Sequence, residues 1–364
     1  MDSGGIFSGS GEHAPRLVSW NVTSACHLRC PHCYLDAGGQ IPAGCDELST
    51  DEGKTLIDSL ADAGTKVLIL SGGEPLLRKD IHGLVQYGTG IGLKMAIGTS
   101  GTLIDHKTAE RLKTSGISSV AISLDSLRPS IHDRFRGMQG AWRKTMRGIT
   151  ACLDEEIPLR INTTVSDENV PELGDIVSFG QDLGIRDFQV FFTVPVGRAT
   201  GSCAPDPERY ESMIRDVLKN TARPGLSVRP TCVPQFMRIA TEMGLKNSSW
   251  HKGCIAGQSY ARVCPDGEVT PCPYLPVTGG NIRKSRFGEI WNTSPVFTSL
   301  RDPDALQGKC GRCEYREICG GCRARAYGLS RDSRNPCGQF SFQAGAGSDF
   351  LGEDPVCTYV PEKR

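Results

Sequence analysis

The sequence predicts an α/β fold built on a parallel sheet, followed by a small cysteine-rich domain. Three observations carry this. From Leu17 to about Pro195, six short β-rich runs alternate with amphipathic helical stretches, the pattern of strands joined by helical crossovers. From Trp250 onward the periodicity breaks down and cysteine, glycine and proline become dense, the composition of a small domain held by metal rather than by a core. At 364 residues the chain is too long for one ordinary core, so two domains are expected.

In chain order, strands are expected at 17–22, 66–70, 94–98, 118–124, 159–165 and 187–194. Helices are expected between them at 50–63, 81–88, 106–115, 141–153 and 170–183. The first helix opens on Ser49-Thr50-Asp51-Glu52, which puts oxygen acceptors and acidic charge where free N–H groups need them. Residues 205–249 read as a bridge with a helical stretch and a short strand at 226–228, and 250–364 as the cysteine-rich domain. Residues 1–15 are Gly/Ser-rich, lack the apolar core of a signal peptide, and read as a disordered tail.

Hydrophobic content of 38% and charged content of 23% are those of a soluble globular protein. With 41 basic and 41 acidic residues, nothing argues for nucleic acid or an anionic membrane as partner. No apolar run approaches the ~20 residues of a spanning helix. Sixteen cysteines in short-spaced groups, in a long chain without a signal, point to cytoplasmic metal binding rather than disulfides.

The most informative motif is CHLRCPHCY, with Cys26, Cys30 and Cys33 just after the first strand. Three thiolates can hold three irons of a [4Fe–4S] cluster and leave the fourth open, whereas four would close it for electron transfer. The alternative is zinc, whose sites usually pair CxxC with a second pair elsewhere. After the second strand comes LSGGEPLL, with Gly72, Gly73, Glu74 and Pro75. Its glycines permit close backbone approach, and Glu74 can pair with an ammonium group. GTSGT follows the third strand and ISLDS the fourth, placing Ser123 and Asp125 on one face at period two.

These motifs resemble the radical SAM superfamily. The resemblance implies a partial (β/α)6 barrel of the TIM type, with sites at the C-terminal ends of its strands. It also implies that Cys26, Cys30 and Cys33 hold a catalytic [4Fe–4S] cluster that binds S-adenosylmethionine. Reductive cleavage would then yield a 5′-deoxyadenosyl radical. By the same resemblance, GGEP binds the cofactor's amino group, and Tyr34, Ser100, Ser123, Asp125 and Asn162 are further cofactor contacts. Ser100 stands where the family more often has Asn, losing the amide's forked hydrogen bonding. His132 and Arg136, in HDRFRG, read as a solvated helix start.

The later cysteines resemble the SPASM domain, which carries two auxiliary [4Fe–4S] clusters. Carried over, Cys254, Cys272 and Cys322 serve the first, and Cys310, Cys313, Cys319 and Cys357 the second. Close relatives have a further cysteine where this chain has Ala261. Either Cys264 replaces it, the preferred reading, or the cluster keeps an open iron. An insertion near 333–347 brings Cys337, a rival to Cys357, which fits the family ending DPVCTYVP better. Cys152 reads as a core thiol and Cys45 and Cys203 as incidental, while Cys232, in PTCVPQFMRIA, is less bland.

PTCVPQFMRIA, VTPCPYLP and KCGRCEYREICGGCRARAYG look like the NirJ and alternative haem-biosynthesis branch. That branch implies a tetrapyrrole substrate and a reduced ferredoxin- or flavodoxin-type electron donor. The preferred reaction is removal of acetate side chains from 12,18-didecarboxysirohaem. The alternatives are propionate decarboxylation of iron-coproporphyrin III and radical maturation of a ribosomally made peptide. A multi-carboxylate substrate wants guanidinium partners, and Arg198, Arg229 and Arg238 are candidates.

Overall fold

The computed structural model describes residues 14–38, 46–201, 206–221, 223–247, 250–331, 340–342 and 349–362. Its first half alternates strands and helices: β1 Leu17–Thr23, α1 Thr50–Asp62, β2 Val67–Gly72, α2 Ile81–Gly90, β3 Lys94–Thr99, α3 His106–Thr114 and β4 Ser119–Ser123. Then follow α4 Pro129–Arg136, α5 Ala141–Asp154, β5 Leu159–Val165, α6 Leu173–Asp182 and β6 Asp187–Phe192. β1 to β6 pair in sequence order, all parallel.

The short strand expected in the bridge is a seventh member of this sheet. After α7 (Pro207–Thr221), β7 (Ser227–Thr231) pairs parallel with β6; α8 (Phe236–Glu242) follows. The cysteine-rich region adds to the opposite edge: β8 (Tyr260–Val263) pairs parallel with β1, and β9 (Glu268–Thr270) and β10 (Gly280–Asn281) continue antiparallel. The bridge and the C-terminal domain therefore share one ten-stranded sheet with the barrel.

β1 is buried on both faces, as a central parallel strand must be. Trp20 is fully buried, and Gly53 of α1 gives it room: a Cβ there would lie 2.6 Å from its ring. α1 begins with a capping box, Ser49 accepting from the Glu52 N–H and Glu52 accepting from the Ser49 N–H. β5 alternates buried and half-buried residues along its length, with Arg160, Asn162 and Thr164 on the half-buried face.

The C-terminal region is not held by its cysteines alone: its aromatic residues join the same apolar core as the barrel. Phe287 and Trp291 of α9 (Phe287–Thr293) and Phe297 of α10 (Pro295–Arg301) are essentially buried and in ring contact. Beyond them lie α11 (Gly308–Arg312), α12 (Arg323–Gly328) and the pair β11 (Leu329–Arg331) and β12 (Phe340–Phe342). Cys45, Cys203 and Cys337 lie outside the described residues.

Candidate functional site

The C-terminal ends of β1 to β5 converge on the loop that carries Cys26, Cys30 and Cys33. Glu47 fixes the start of that loop, its carboxylate accepting from Thr23 Oγ1 at 3.0 Å, the Ser24 N–H at 2.7 Å and Ser24 Oγ at 2.9 Å. Arg198 braces the other side: its guanidinium donates to the carbonyls of Cys30 (2.9 Å) and Ala37 (2.9 Å) and to Asp36 (2.7 Å). The three thiols act electrostatically on one another. Burial pushes the Cys26 and Cys30 thiols up, a cost that iron binding to the thiolates would offset.

The glycines of GGEP serve the cysteine loop rather than open space. A Cβ on Gly72 would lie 2.4 Å from the Thr23 carbonyl oxygen, and one on Gly73 2.1 Å from that of Ala25. The Gly73 and Glu74 N–H groups donate to the carbonyls of Thr23 and Ala25, both at 2.8 Å. Gly73→Ala must therefore push the loop outward, at about 1–3 kcal/mol of strain. Iron incorporation at this site should fall while far-ultraviolet circular dichroism stays unchanged.

Glu74 is 1% exposed. Its carboxylate accepts from Thr99 Oγ1 (2.6 Å), Ser100 Oγ (2.7 Å), the Ser100 N–H (3.1 Å) and the Leu76 N–H (3.3 Å). Pro75 begins a single 3-10 turn, Pro75–Leu77, that delivers the last of these donors. Ser100 thus acts on Glu74 directly, which the sequence did not reveal: its hydroxyl holds the carboxylate in place.

Asp125 lies just beyond β4, fully buried, where it accepts from the Thr164 N–H at 2.9 Å and pairs with Arg136 at 2.6 Å. Arg136 and His132 are thus no solvated face: α4 is buried on that side, with His132 fully enclosed and Arg136 8% exposed. The charges on Arg136 and the Cys30 thiolate attract one another, so the sequence reading missed a cation beside the cysteines. Ser123 ends β4 opposite Asn162 of β5. Tyr34 donates to Asn21 Oδ1 at 3.2 Å, stacks obliquely on Tyr274 with centroids 5.5 Å apart, and is pushed up to about 12 by burial.

His132 predicts a pH dependence. Burial, then the Arg136 charge, lower its pKa to about 4 from 6.5, against the pull of Asp125 and Asp133. Its Nδ1 accepts from the Asp125 N–H, and its Nε2 faces Thr145 Oγ1. Between those two pKa values the unfolded chain binds the extra proton, so stability falls as pH drops through that window. The loss should reach about 3 kcal/mol. Urea midpoints at about pH 7 and about pH 5 should differ in the parent and converge in His132→Asn.

Among the described residues, Asn21 Nδ2, Arg136 Nε and Asn162 Oδ1 are buried without a partner. A cofactor rich in hydroxyl and carboxylate groups would supply what these atoms lack, so the donor set fits S-adenosylmethionine. Among the described residues no His, Cys, Asp or Glu group converges on a single metal ion.

Two further thiol groups occupy the C-terminal region. Cys310, Cys313, Cys319 and Cys357 line one cavity. There the Asp354 N–H and Arg323 Nη2 both approach Cys310 Sγ at 3.4 Å, contacts of the kind that tune an iron–sulfur cluster. Burial raises Cys319 strongly and pushes Cys357 up to about 11. Cys254, Cys272 and Cys322 form the other group: the charges of Cys254 and Cys322 both act on Cys272, which burial pushes up to about 12.

Cys264, expected as the fourth ligand of that group, follows β8 directly. Its Sγ lies 2.9 Å from Arg262 Nη2, and the charges that act on it are those of Arg262, Asp266 and Glu268. Ala261 points into the core of β8. Two of the three proposed carboxylate clamps are also engaged elsewhere. Arg198 braces the cysteine loop, and Arg238 is 4% exposed, paired with Glu211 and Glu242 at 2.6 Å each. Arg229, on β7, donates to the Lys252 carbonyl at 2.7 Å and faces Arg160 of β5. In the sheet, Ser123, Asn162, Gln189 and Arg229 stand in register across four strands.

Residues 20–180 match the radical SAM superfamily, and residues 254–323 match the SPASM iron–sulfur cluster-binding domain. The AdoMet-dependent heme synthase of Methanosarcina barkeri is 39% identical over 97% of this chain and 99% of that protein. The Fe-coproporphyrin III synthase of the same organism is 31% identical over 84% of this chain and 82% of that protein. The PqqA peptide cyclase of Bradyrhizobium diazoefficiens is 29% identical over 88% and 84%. Among solved structures, SuiB of Streptococcus suis bound to S-adenosylmethionine has a TM-score of 0.72, 18% identity, and coverage of 95% of this chain and 77% of that one, a likeness of fold. The chain belongs to the radical SAM superfamily with a SPASM domain, and within it to the family of the AdoMet-dependent heme synthases.

Proposed function

We propose that this enzyme decarboxylates propionate side chains of an iron-bound tetrapyrrole, iron-coproporphyrin III, to vinyl groups. The observation that carries this choice is the 39% likeness to a heme synthase across nearly the whole chain, against 31% for the Fe-coproporphyrin III synthase. It favours this reaction over the acetate removal preferred from sequence segments alone. A peptide substrate is weaker support still, at 29%.

On this reading Cys26, Cys30 and Cys33 hold the catalytic cluster, and Glu74 receives the ammonium group of S-adenosylmethionine. Asp125, Arg136, Asn21 and Asn162 surround the rest of the cofactor. When bound, cluster and cofactor supply a 5′-deoxyadenosyl radical. Each propionate then loses one hydrogen atom, one electron and carbon dioxide, and a vinyl group remains. Cys254, Cys272 and Cys322, with the group around Cys310, hold the auxiliary clusters that could take that electron. Arg229 and Arg160, on the half-buried face of their strands, suit the carboxylates of the substrate. A reduced ferredoxin- or flavodoxin-type donor and a cytoplasmic setting fit this chemistry.

The test is anaerobic turnover of the reconstituted enzyme with S-adenosylmethionine, a reductant and iron-coproporphyrin III. Formation of haem with 5′-deoxyadenosine supports the proposal. Acetate loss from didecarboxysirohaem, with iron-coproporphyrin III unchanged, would instead favour the other tetrapyrrole reaction. Formation of 5′-deoxyadenosine with neither tetrapyrrole changed would favour a peptide substrate.

A further inference from the structure

The first auxiliary group has three cysteines inside the matched SPASM segment, and a fourth reaches it from outside. Cys232 follows β7 directly and precedes the segment 254–323. It packs against the cluster of Val194, Val196, Leu275, Cys322 and Ala324, which Cys272 and Tyr274 also join. The thiolate charges of Cys322 and Cys272 act on it, and those of Cys254 and Cys322 act on Cys272. Cys232, Cys272 and Cys322 therefore pack in one cluster, and the charge of Cys254 reaches Cys272.

The backbone at Cys232 is set for this position. Its φ of +63° is a left-handed conformation that side-chain-bearing residues rarely adopt unless the surroundings hold it. The holding contact is visible: Arg325 Nη1 donates to the Cys232 carbonyl at 2.8 Å. Cys232 packs in this cluster while keeping some accessible surface. Tyr274 packs against the same cluster. Cys264, the alternative fourth ligand, is not among the residues of that cluster, and its sulfur accepts from Arg262 Nη2 at 2.9 Å.

We propose that Cys232 is the fourth thiolate ligand of the first auxiliary cluster, completing Cys254, Cys272 and Cys322. This rests on the reading of that trio as cluster ligands. Four thiolates close the cluster, so it would pass electrons and not bind substrate at an open iron.

The test uses the full chain, reconstituted anaerobically, with saturating S-adenosylmethionine covering the catalytic cluster's open iron. Iron content and the electron paramagnetic resonance of the reduced protein are read with and without isotope-labelled cyanide. In Cys232→Ala an iron of the auxiliary cluster should open, so that cyanide binds and splits the signal, or that cluster's iron is lost. The parent and Cys264→Ala should show neither change. A parent-like spectrum for Cys232→Ala, insensitive to cyanide, overturns the proposal, as does cyanide binding in Cys264→Ala instead. If Cys232→Ala does not fold, Cys232→Ser decides: shifted g-values support the assignment, and parent g-values overturn it. Cys272→Ala separates the two levels, since an intact auxiliary signal there would sink the reading of the trio itself.

Discussion

Arg325→Met should be among the most destabilising single changes in this protein, at about 3–5 kcal/mol. Arg325 is 1% exposed and Asp354 0%. All five guanidinium donors are used. Nε and Nη2 reach Asp354 at 3.0 and 2.8 Å, Nη1 reaches Tyr210 Oη and the Cys232 carbonyl, both at 2.8 Å, and Nη2 also reaches Gln235 Oε1 at 3.0 Å. Asp354 in turn accepts from Gln235 Nε2 at 2.7 Å and the Cys322 N–H at 2.9 Å. Without Arg325 the buried carboxylate loses its paired counter-charge and keeps only the field of Arg323, and that loss is the main cost.

The pair also ties α7, the β7–α8 turn, α12 and the C-terminal loop to one point, from which both auxiliary thiol groups hang. Anaerobic denaturation should therefore show an earlier midpoint, with auxiliary iron released alongside. Arg325→Met combined with Asp354→Leu should recover part of the loss, because no charge is then stranded. An unchanged midpoint in the single variant would contradict this account.

What could be read from the sequence follows the range of the forces involved. β5 was legible to its ends because Leu159–Val165 alternates in sequence as it does in burial. The cap of α1 was legible because Ser49 and Glu52 act across one turn. β7 passed for an isolated bridge strand, since its place beside β6 depends on pairing that no local pattern encodes. The docking of β8 against β1 joins residues far apart in the chain and was invisible for the same reason.

The site divides along the same line. CxxxCxxC and GGEP were legible because their chemistry sits in contiguous residues. The burial of α4 was missed because Pro-Ser-Ile-His-Asp-Arg-Phe-Arg looks like a wet surface unless Asp125 is known to face it. Arg198 and Arg238 were read as free cations because a sequence does not distinguish a paired guanidinium from an unpaired one. Cys232 stood out only as less bland than its peers, and its significance came from the apolar cluster it shares with Cys272 and Cys322.

Glu74→Gln should leave all iron in place and still cripple the enzyme. The carboxylate is held by four donors before any cofactor arrives, so its geometry is set in advance and little is lost on binding an ammonium group. Gln matches Glu in shape but carries no charge, and one end of its amide is a donor. That end must either meet Thr99 and Ser100, which already donate here, or face the incoming ammonium group. Either way an attraction is lost and donors are opposed. Hydrogen bonds to charged groups contribute roughly 1.5–3 kcal/mol, so S-adenosylmethionine should bind about tenfold to a hundredfold more weakly. 5′-Deoxyadenosine formation should fall at least as far at subsaturating cofactor. Ser100→Ala removes one of the four supports and should give a smaller loss in the same direction. Parent affinity in Glu74→Gln, measured by equilibrium dialysis on the reconstituted protein, would make the buried carboxylate a brace for the loop after β3 and leave the ammonium group to another residue.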